Sequence, residues 1–156
     1  MDFRITGLDP APFAPLFGLS DEALAARGAV RYVVTEQPGF PDRVEMREGR
    51  LGETMLLVNH VSLDQPTPYR ATHAIFVREG ATTPFDAINT VPEVMRRRLL
   101  SVRGFDPTGM LRDADVVEGT ALEAVIDRLF ADPAIAFLHV HNAKQGCYSG
   151  RVDRVA

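Results

Sequence analysis

The sequence predicts an α+β fold with a mainly antiparallel β-sheet, two short helices packed on it and a C-terminal β-hairpin. Three observations predict this class. Short apolar stretches bounded by Gly, Pro and polar residues recur along the chain, which is typical of strands. Only two segments carry a helical pattern. The 156 residues contain no internal repeat and no low-complexity linker, so we expect a single domain over residues 1–156.

The strand patterns are spread over the whole chain. They occur at 3–8, 29–35, 43–47, 54–61, 69–78, 111–118, 134–142 and 147–155. The 54–61 segment is apolar on both faces, which predicts a central strand paired with 69–78 through a long connection. The last two strands are expected to form a hairpin around Lys144-Gln145-Gly146. The 81–92 stretch is expected to be a loop, and 91–103 fits a helix or a strand equally well.

Two helices follow from capping residues and periodicity. Ser20 is a candidate N-cap before a short helix that Gly28 ends. The second helix is predicted over Thr120–Ala131, with Thr120 and Glu123 as a capping box. Its apolar residues fall on one stripe, which predicts packing against a sheet. These are Leu122, Val125, Ile126, Leu129 and Phe130.

Composition excludes several classes of protein. A net charge of −4 argues against a nucleic-acid-binding protein, which usually carries a basic excess. The single cysteine, Cys147, permits no intramolecular disulfide. No signal peptide is visible and the apolar runs are too short to span a membrane, so we expect a cytoplasmic protein that does not engage membranes. The sequence indicates no oligomeric state.

The four histidines all fall in predicted strands, at His60, His73, His139 and His141. Side chains two residues apart in a strand share a face, so His139 and His141 are expected to project together. Pairing of 54–61 with 69–78 at a register sum near 133 places His60 opposite His73. In the C-terminal hairpin we expect His141 opposite Tyr148.

The remaining pairs of that register are Asn142 with Cys147 and His139 with Gly150. A slip of one residue would instead move Cys147 to the face of the histidines.

The histidines suggest a mononuclear metal site. His139 and His141 could ligate one divalent transition metal such as Zn²⁺, with His60 or His73 as a further ligand. The alternative is that these histidines are semi-buried residues whose ring nitrogens bond backbone groups or tyrosine hydroxyls.

Candidate catalytic groups cluster in the same hairpin: His139, His141, Cys147 and Tyr148. Cys147 would act as a nucleophile or redox thiol if Lys144 or a histidine supplied a cationic or basic neighbour. The alternative is a small buried residue at the start of a strand.

Arginines and tyrosines suggest a small anionic ligand. Arg43, Arg70 and Arg78, with Tyr69 and Tyr148, could hold a carboxylate or phosphate. We take Tyr69, Arg70 and Asn142 as the candidate ligand-binding residues. The Arg96-Arg97-Arg98 run is expected to be a solvated face.

Two segments resemble a known family. They are 57–79, which contains Thr-Pro-Tyr-Arg-Ala-Thr-His-Ala-Ile-Phe-Val-Arg, and 137–148, which reads Phe-Leu-His-Val-His-Asn-Ala-Lys-Gln-Gly-Cys-Tyr. Both resemble DUF1203, a family of uncharacterised bacterial proteins of about this length. The resemblance implies a bacterial origin and no particular activity.

The sequence therefore favours a small-molecule or metal-binding pocket beside the C-terminal hairpin. The alternative is a noncatalytic interaction or structural domain with no bound metal. The residues do not decide whether the protein is an enzyme.

Overall fold

The computed structural model describes all 156 residues. It contains nine strands, three short α-helices and two single-turn 3₁₀ helices. The strands are β1 Phe3–Thr6, β2 Val30–Val33, β3 Thr54–Leu63, β4 Ala71–Arg78, β5 Asp86–Ile88, β6 Leu99–Phe105, β7 Leu111–Glu118, β8 Phe137–Asn142 and β9 Tyr148–Arg154. The α-helices are α1 Asp21–Ala25, α2 Glu93–Arg96 and α3 Leu122–Phe130, and the 3₁₀ helices are Ala14–Leu16 and Gly119–Ala121.

The strands form two antiparallel sheets, which confirms the α+β prediction. The larger sheet has the order β5-β1-β9-β8-β6-β7 and the smaller has the order β2-β3-β4. β3 is the central strand of the smaller sheet, as predicted, and it pairs with β4 through the expected long connection. The prediction of two helices was incomplete: the ambiguous 91–103 segment divides into α2 and β6. The predicted 81–92 loop contains the short strand β5.

Helix α3 packs against one face of the larger sheet. All five residues of its predicted apolar stripe are buried. They belong to a core that also contains Leu100, Val102, Leu138, Val140 and Val152 from the larger sheet. Because β8 residues alternate between the two faces, the burial of Leu138 and Val140 against this core directs His139 and His141 to the opposite face.

The smaller sheet covers that opposite face. Leu56 and Val58 of β3 and Ile75 and Val77 of β4 form a second buried core, which includes Tyr148 of the larger sheet. The molecule is thus layered as helix, larger sheet and smaller sheet, and the C-terminal hairpin contributes side chains to both interfaces.

The predicted strand at 43–47 was wrong, because the segment forms a tight loop closed by a bridge between Pro41 and Glu48. The buried Asp42 carboxylate accepts hydrogen bonds from the backbone N–H groups of Glu45, at 2.6 Å, and Arg78, at 2.8 Å. Met46 has a φ of 53°, outside the extended region. The Asp42 carboxylate therefore accepts the hydrogen bonds that strand pairing would otherwise provide for these two N–H groups. The loop directs the Arg43 side chain into the interior.

The predicted capping box at Thr120 was also wrong. α3 begins at Leu122 after a 3₁₀ turn, and no side chain caps it. Gly119 donates its N–H to the Arg98 carbonyl at 2.9 Å, and a Cβ at Gly119 would lie 1.8 Å from the Met95 carbonyl oxygen. This close approach fixes the turn, and the Glu123 carboxylate binds Arg96 instead of a backbone N–H at the helix start.

The C-terminal hairpin contains a β-bulge. His141 pairs with Tyr148 as predicted, but Val140 pairs with Gly150, and His139 therefore lies opposite Arg151. The predicted pairing of His139 with Gly150 was wrong because Ser149 is an extra residue in β9.

No helix in the structure has the length and apolar character that crossing a membrane requires.

The two predicted caps provide a matched pair of variants. The Ser20 hydroxyl oxygen accepts the Ala23 N–H at 3.1 Å, so Ser20→Ala is expected to lower the free energy of unfolding by about 1 kcal/mol. Thr120 is exposed and caps nothing, so Thr120→Ala is expected to change it by less than about 0.5 kcal/mol. Urea unfolding measures both, and equal losses would contradict the assignment of the caps.

Candidate functional site

The four histidines lie together between the two sheets. His60 and His73 are directly opposite each other on β3 and β4, as the predicted register requires. His139 and His141 project towards them from β8. The ring centroids of His73 and His141 are 4.8 Å apart, and the Tyr148 ring lies 5.2 Å from His139 and 5.8 Å from His60. The sheets therefore meet through a layer of imidazole and phenol rings.

Burial keeps these imidazoles neutral. It lowers the pKa of His139 to about 3, helped by the nearby His141 and by two arginines, Arg151 and Arg103. Burial likewise lowers the pKa of His141 to about 4, although its hydrogen bond to the Gly146 carbonyl acts in the opposite sense. The pKa values of the other two histidines are also lowered, mainly by burial.

A hydrogen bond fixes the tautomer of His141. Its Nδ1 lies 2.9 Å from the Gly146 carbonyl oxygen, which can only accept. Nδ1 therefore carries the proton, and Nε2 keeps its lone pair. His73 Nδ1 lies 2.6 Å from the Ser62 hydroxyl. An imidazole held in one tautomer is a suitable proton acceptor or metal ligand.

The structure contains no group of three or more His, Cys, Asp or Glu side chains arranged to hold a metal ion. The divalent-metal site on His60, His73, His139 and His141 thus stays a prediction from the sequence. Zinc uptake by protein without a histidine tag tests it.

A cavity of about 460 Å³ lies beside the histidine cluster, where the outer edge of β4 meets the β8–β9 turn. It is lined by Gly39, Pro41, Arg43, Leu57, Thr72, His73, Ala74, Phe76, Arg98, Asn142, Gln145 and Cys147. His73 belongs both to this lining and to the cluster, so the cavity reaches the layer between the sheets.

Arg43 is a buried cation in the cavity wall, only 3% exposed. Its Nε donates to the Tyr148 carbonyl at 2.9 Å, Nη1 to the Pro41 carbonyl at 2.6 Å and Nη2 to the Cys147 sulfur at 3.1 Å. None of these partners is a carboxylate. Burial lowers the pKa of Arg43, but a guanidinium stays protonated in proteins, so its charge remains.

Further cations surround the cavity. Arg98 lines it with a side chain that is 18% exposed and is paired with Glu48. A recess of about 360 Å³ adjoins the cavity and adds Arg97 and Lys144. Neither lining contains an aspartate or a glutamate.

Cys147 lies in the cavity wall beside Asn142. The Asn142 Nδ2 is 3.4 Å from the Cys147 sulfur, which is thus approached by two donors, this amide and the Arg43 guanidinium. Asn142 is 4% exposed, and its Oδ1 is buried without a hydrogen-bond partner. The sequence allowed Cys147 to pair with Asn142 or, after a slip of one residue, to lie on the face of the histidines. The structure has the first arrangement, with Cys147 next to Asn142.

The other candidate residues lie in different places. Tyr148 is buried in the histidine cluster, and burial raises its pKa. Tyr69 packs edge-on against Phe105, with ring centroids 6.1 Å apart. Arg70 is exposed and paired with Asp64. Neither Tyr69 nor Arg70 lines the cavity, whereas Asn142 does.

Sequence reasoning placed the cations incorrectly. Arg97 is exposed, as expected of a solvated face, but Arg98 turns inward towards Glu48. The cation that hydrogen-bonds the Cys147 sulfur is Arg43, which the sequence did not indicate as its neighbour. Charge alone does not show which face an arginine occupies, and the alternating Arg43–Arg47 pattern predicted a strand where the structure has the loop that directs Arg43 inward.

Comparison with known proteins adds the family. The model of the family described as "Protein of unknown function (DUF1203)" matches residues 39–154. The chain belongs to the DUF1203 family. No curated protein and no solved structure matches it.

The DUF1203 match contains the whole candidate site. Every residue that lines the 460 Å³ cavity and all four histidines fall within residues 39–154. β1, α1 and β2 lie outside the matched range. The part of the chain that matches the DUF1203 family therefore includes every residue of the candidate site. The description of the family assigns it no activity.

The neutral histidines predict a loss of stability in acid. Between about pH 6.5 and pH 4 the unfolded chain binds protons on His139 and His141 that the folded chain does not, so the free energy of unfolding falls as the pH falls. Each histidine contributes a slope of up to about 1.4 kcal/mol per pH unit.

Removing one imidazole is expected to make this slope shallower. His139 packs against Phe105 and Phe137, so His139→Phe is expected to fold and to reduce the slope by about 1.4 kcal/mol per pH unit. Urea unfolding at intervals between pH 7 and pH 4.5 measures it. If the free energy of unfolding of His139→Phe depends on pH as steeply as that of the parent protein, His139 has the same pKa in the folded and unfolded chain, which contradicts this prediction.

Proposed function

We propose that this protein binds a small anionic molecule, carrying a carboxylate or phosphate group, in the cavity beside its C-terminal hairpin. The observation that carries the proposal is the buried guanidinium of Arg43, which lines the cavity and has no carboxylate partner. Buried charges are normally paired, because an unpaired charge out of water is costly. An anion in the cavity would supply the missing partner.

The charge distribution supports the same ligand. The chain has a net charge of −4, yet the cavity and its adjoining recess contain four cationic side chains and no acidic one. These are Arg43, Arg97, Arg98 and Lys144. A cleft lined by charges of one sign concentrates oppositely charged ligands.

The size and remaining lining suit a small molecule. About 460 Å³ falls within the range of roughly 300–1,000 Å³ found for small-molecule sites. Leu57 and Phe76 provide apolar contact, while Asn142 and Gln145 provide polar groups that orient a ligand. The single cysteine favours a reducing, cytoplasmic environment as the source of this ligand. In a purely structural domain Arg43 would keep its three hydrogen bonds but would have no carboxylate or other bound anion as a partner.

Calorimetric titration with inorganic phosphate and with citrate at low ionic strength tests the proposal. Both anions are expected to bind, and choline, a cation of similar size, is not. Arg98→Gln removes one charge-assisted contact, worth about 1.5–3 kcal/mol, so the affinity is expected to fall by at least about tenfold. Added salt is expected to weaken binding to the parent protein.

Two further variants keep this test decisive. Arg98→Gln also leaves the buried Glu48 without its partner. Arg97→Gln removes a cation whose partner, Glu93, is exposed, so it is expected to give a smaller loss of affinity at little cost in stability. Arg128→Gln removes a cation that is bound to Asp113 and Asp115 outside the cavity and is expected to change nothing. The proposal fails if neither anion binds, or if all three variants bind equally well.

A further inference from the structure

The sulfur of Cys147 is surrounded by donors. Arg43 Nη2 at 3.1 Å and Asn142 Nδ2 at 3.4 Å both point hydrogen atoms at it. A thiolate accepts both bonds, and charge-assisted hydrogen bonds are the stronger kind. The reactive form of a cysteine is its thiolate, which a neighbouring cation stabilises.

Arg43 places its positive charge beside the sulfur. Its other two hydrogen bonds end on the carbonyl oxygens of Pro41 and Tyr148, so the sulfur is the one bonded neighbour that can carry a negative charge. Three of the five N–H groups of the guanidinium are used, and two remain for a molecule in the cavity.

Asn142 supplies a second, independent indication of a ligand. Its side chain is part of the cavity wall, it is 4% exposed, and its Oδ1 lacks a donor although the Nδ2 of the same carboxamide bonds the sulfur. A buried acceptor without a partner is costly. A ligand that brings an O–H group next to the sulfur would satisfy it.

A hydroperoxide has the matching groups. Its terminal O–H can donate to Asn142 Oδ1, the oxygen of that group is the atom a thiolate attacks, and the second oxygen can accept from the free N–H groups of Arg43. We propose that Cys147 is a peroxide-reducing thiol. The proposal goes beyond anion binding: a thiolate at Cys147 would itself be an anionic partner of Arg43, so the reaction with a neutral hydroperoxide requires no other anion in the cavity.

The reaction is a two-electron transfer. The thiolate attacks the terminal oxygen of the hydroperoxide, the S–O bond forms as the O–O bond breaks, and the leaving oxygen departs as hydroxide or alkoxide, which water protonates. Cys147 becomes a sulfenic acid and the hydroperoxide becomes water or an alcohol.

The single cysteine determines how the thiol is regenerated. The chain has no second cysteine to form an intramolecular disulfide, so a low-molecular-weight thiol must condense with the sulfenic acid and release water. A second molecule of that thiol then releases Cys147 by exchange. Each cycle consumes one hydroperoxide and two thiols and forms one small disulfide.

Trapping of the sulfenic acid tests the proposal. The full-length reduced protein is treated with hydrogen peroxide in the presence of dimedone, and the adduct is followed by intact mass. At neutral pH the adduct is expected to form at least about tenfold faster than in the same protein unfolded in urea, because an unfolded cysteine is only a few per cent thiolate and the two donors raise that fraction. Cys147→Ser is expected to form no adduct. With added glutathione, the protein is expected to consume more than one equivalent of peroxide.

Variants of Arg43 and Asn142 test whether their hydrogen bonds to the sulfur cause the fast oxidation of Cys147. Asn142→Ala and Arg43→Lys are each expected to slow adduct formation by about threefold or more, and Arg128→Gln is expected to leave it unchanged. If Arg43→Lys does not fold, Asn142→Ala alone is decisive. A rate equal to that of the unfolded protein, or one that Asn142→Ala does not change, overturns the proposal.

The same assay separates this inference from anion binding. Saturating phosphate is expected to slow oxidation, because both ligands occupy one cavity. Fast oxidation without any binding of phosphate or citrate supports the thiol reaction and contradicts the anion site. Anion binding with a slow thiol overturns the inference and leaves the anion site intact.

Discussion

The charge of Arg43 is the constraint on which the centre of this structure depends. The guanidinium lies out of water and joins a loop near residue 42 to the start of β9, more than one hundred residues further along the chain. Its hydrogen bonds hold the Pro41 carbonyl, the Tyr148 carbonyl and the Cys147 sulfur in one cluster. The cavity forms next to this cluster, so the same side chain both positions the wall and sets its charge.

The histidine layer shows how a polar interface between two sheets can be tolerated. Neutral imidazoles bring apolar ring faces into contact and require few hydrogen-bond partners, two of which the structure supplies at His73 and His141. Charging these rings would place positive charge beside Arg103 and Arg151, which already lower the pKa of His139. The neutral state is therefore part of the fold as well as of the candidate site.

Strong periodicity made much of the fold predictable. The apolar stripe of α3 follows from burial on a single face, and the apolar character of β3 on both faces indicated a central strand. The assumed register of β3 and β4 matches the observed pairing of His60 with His73. The N-cap at Ser20 was predictable because a hydroxyl before a helix has few other roles.

The errors arose where side chains replace backbone partners. The Asp42 carboxylate satisfies two N–H groups and removes the need for a strand at 43–47, and no pattern in the sequence reveals this. The inward direction of Arg98 depends on Glu48, a residue fifty positions earlier. The sequence thus indicated the hairpin and its histidines, but it could not place the two arginines that give the neighbouring cavity its charge.

The extra residue in β9 has a consequence for how this strand can vary. Tyr148 and Arg151 are three positions apart, an odd spacing that would put them on opposite sides of a regular strand. Ser149 restores the phase, so that the phenol reaches His139 while the Arg151 guanidinium lies 4.1 Å above the Phe137 ring. A shortened strand would have to give up one of these two contacts, so the length of the hairpin is as restricted as the identity of its residues.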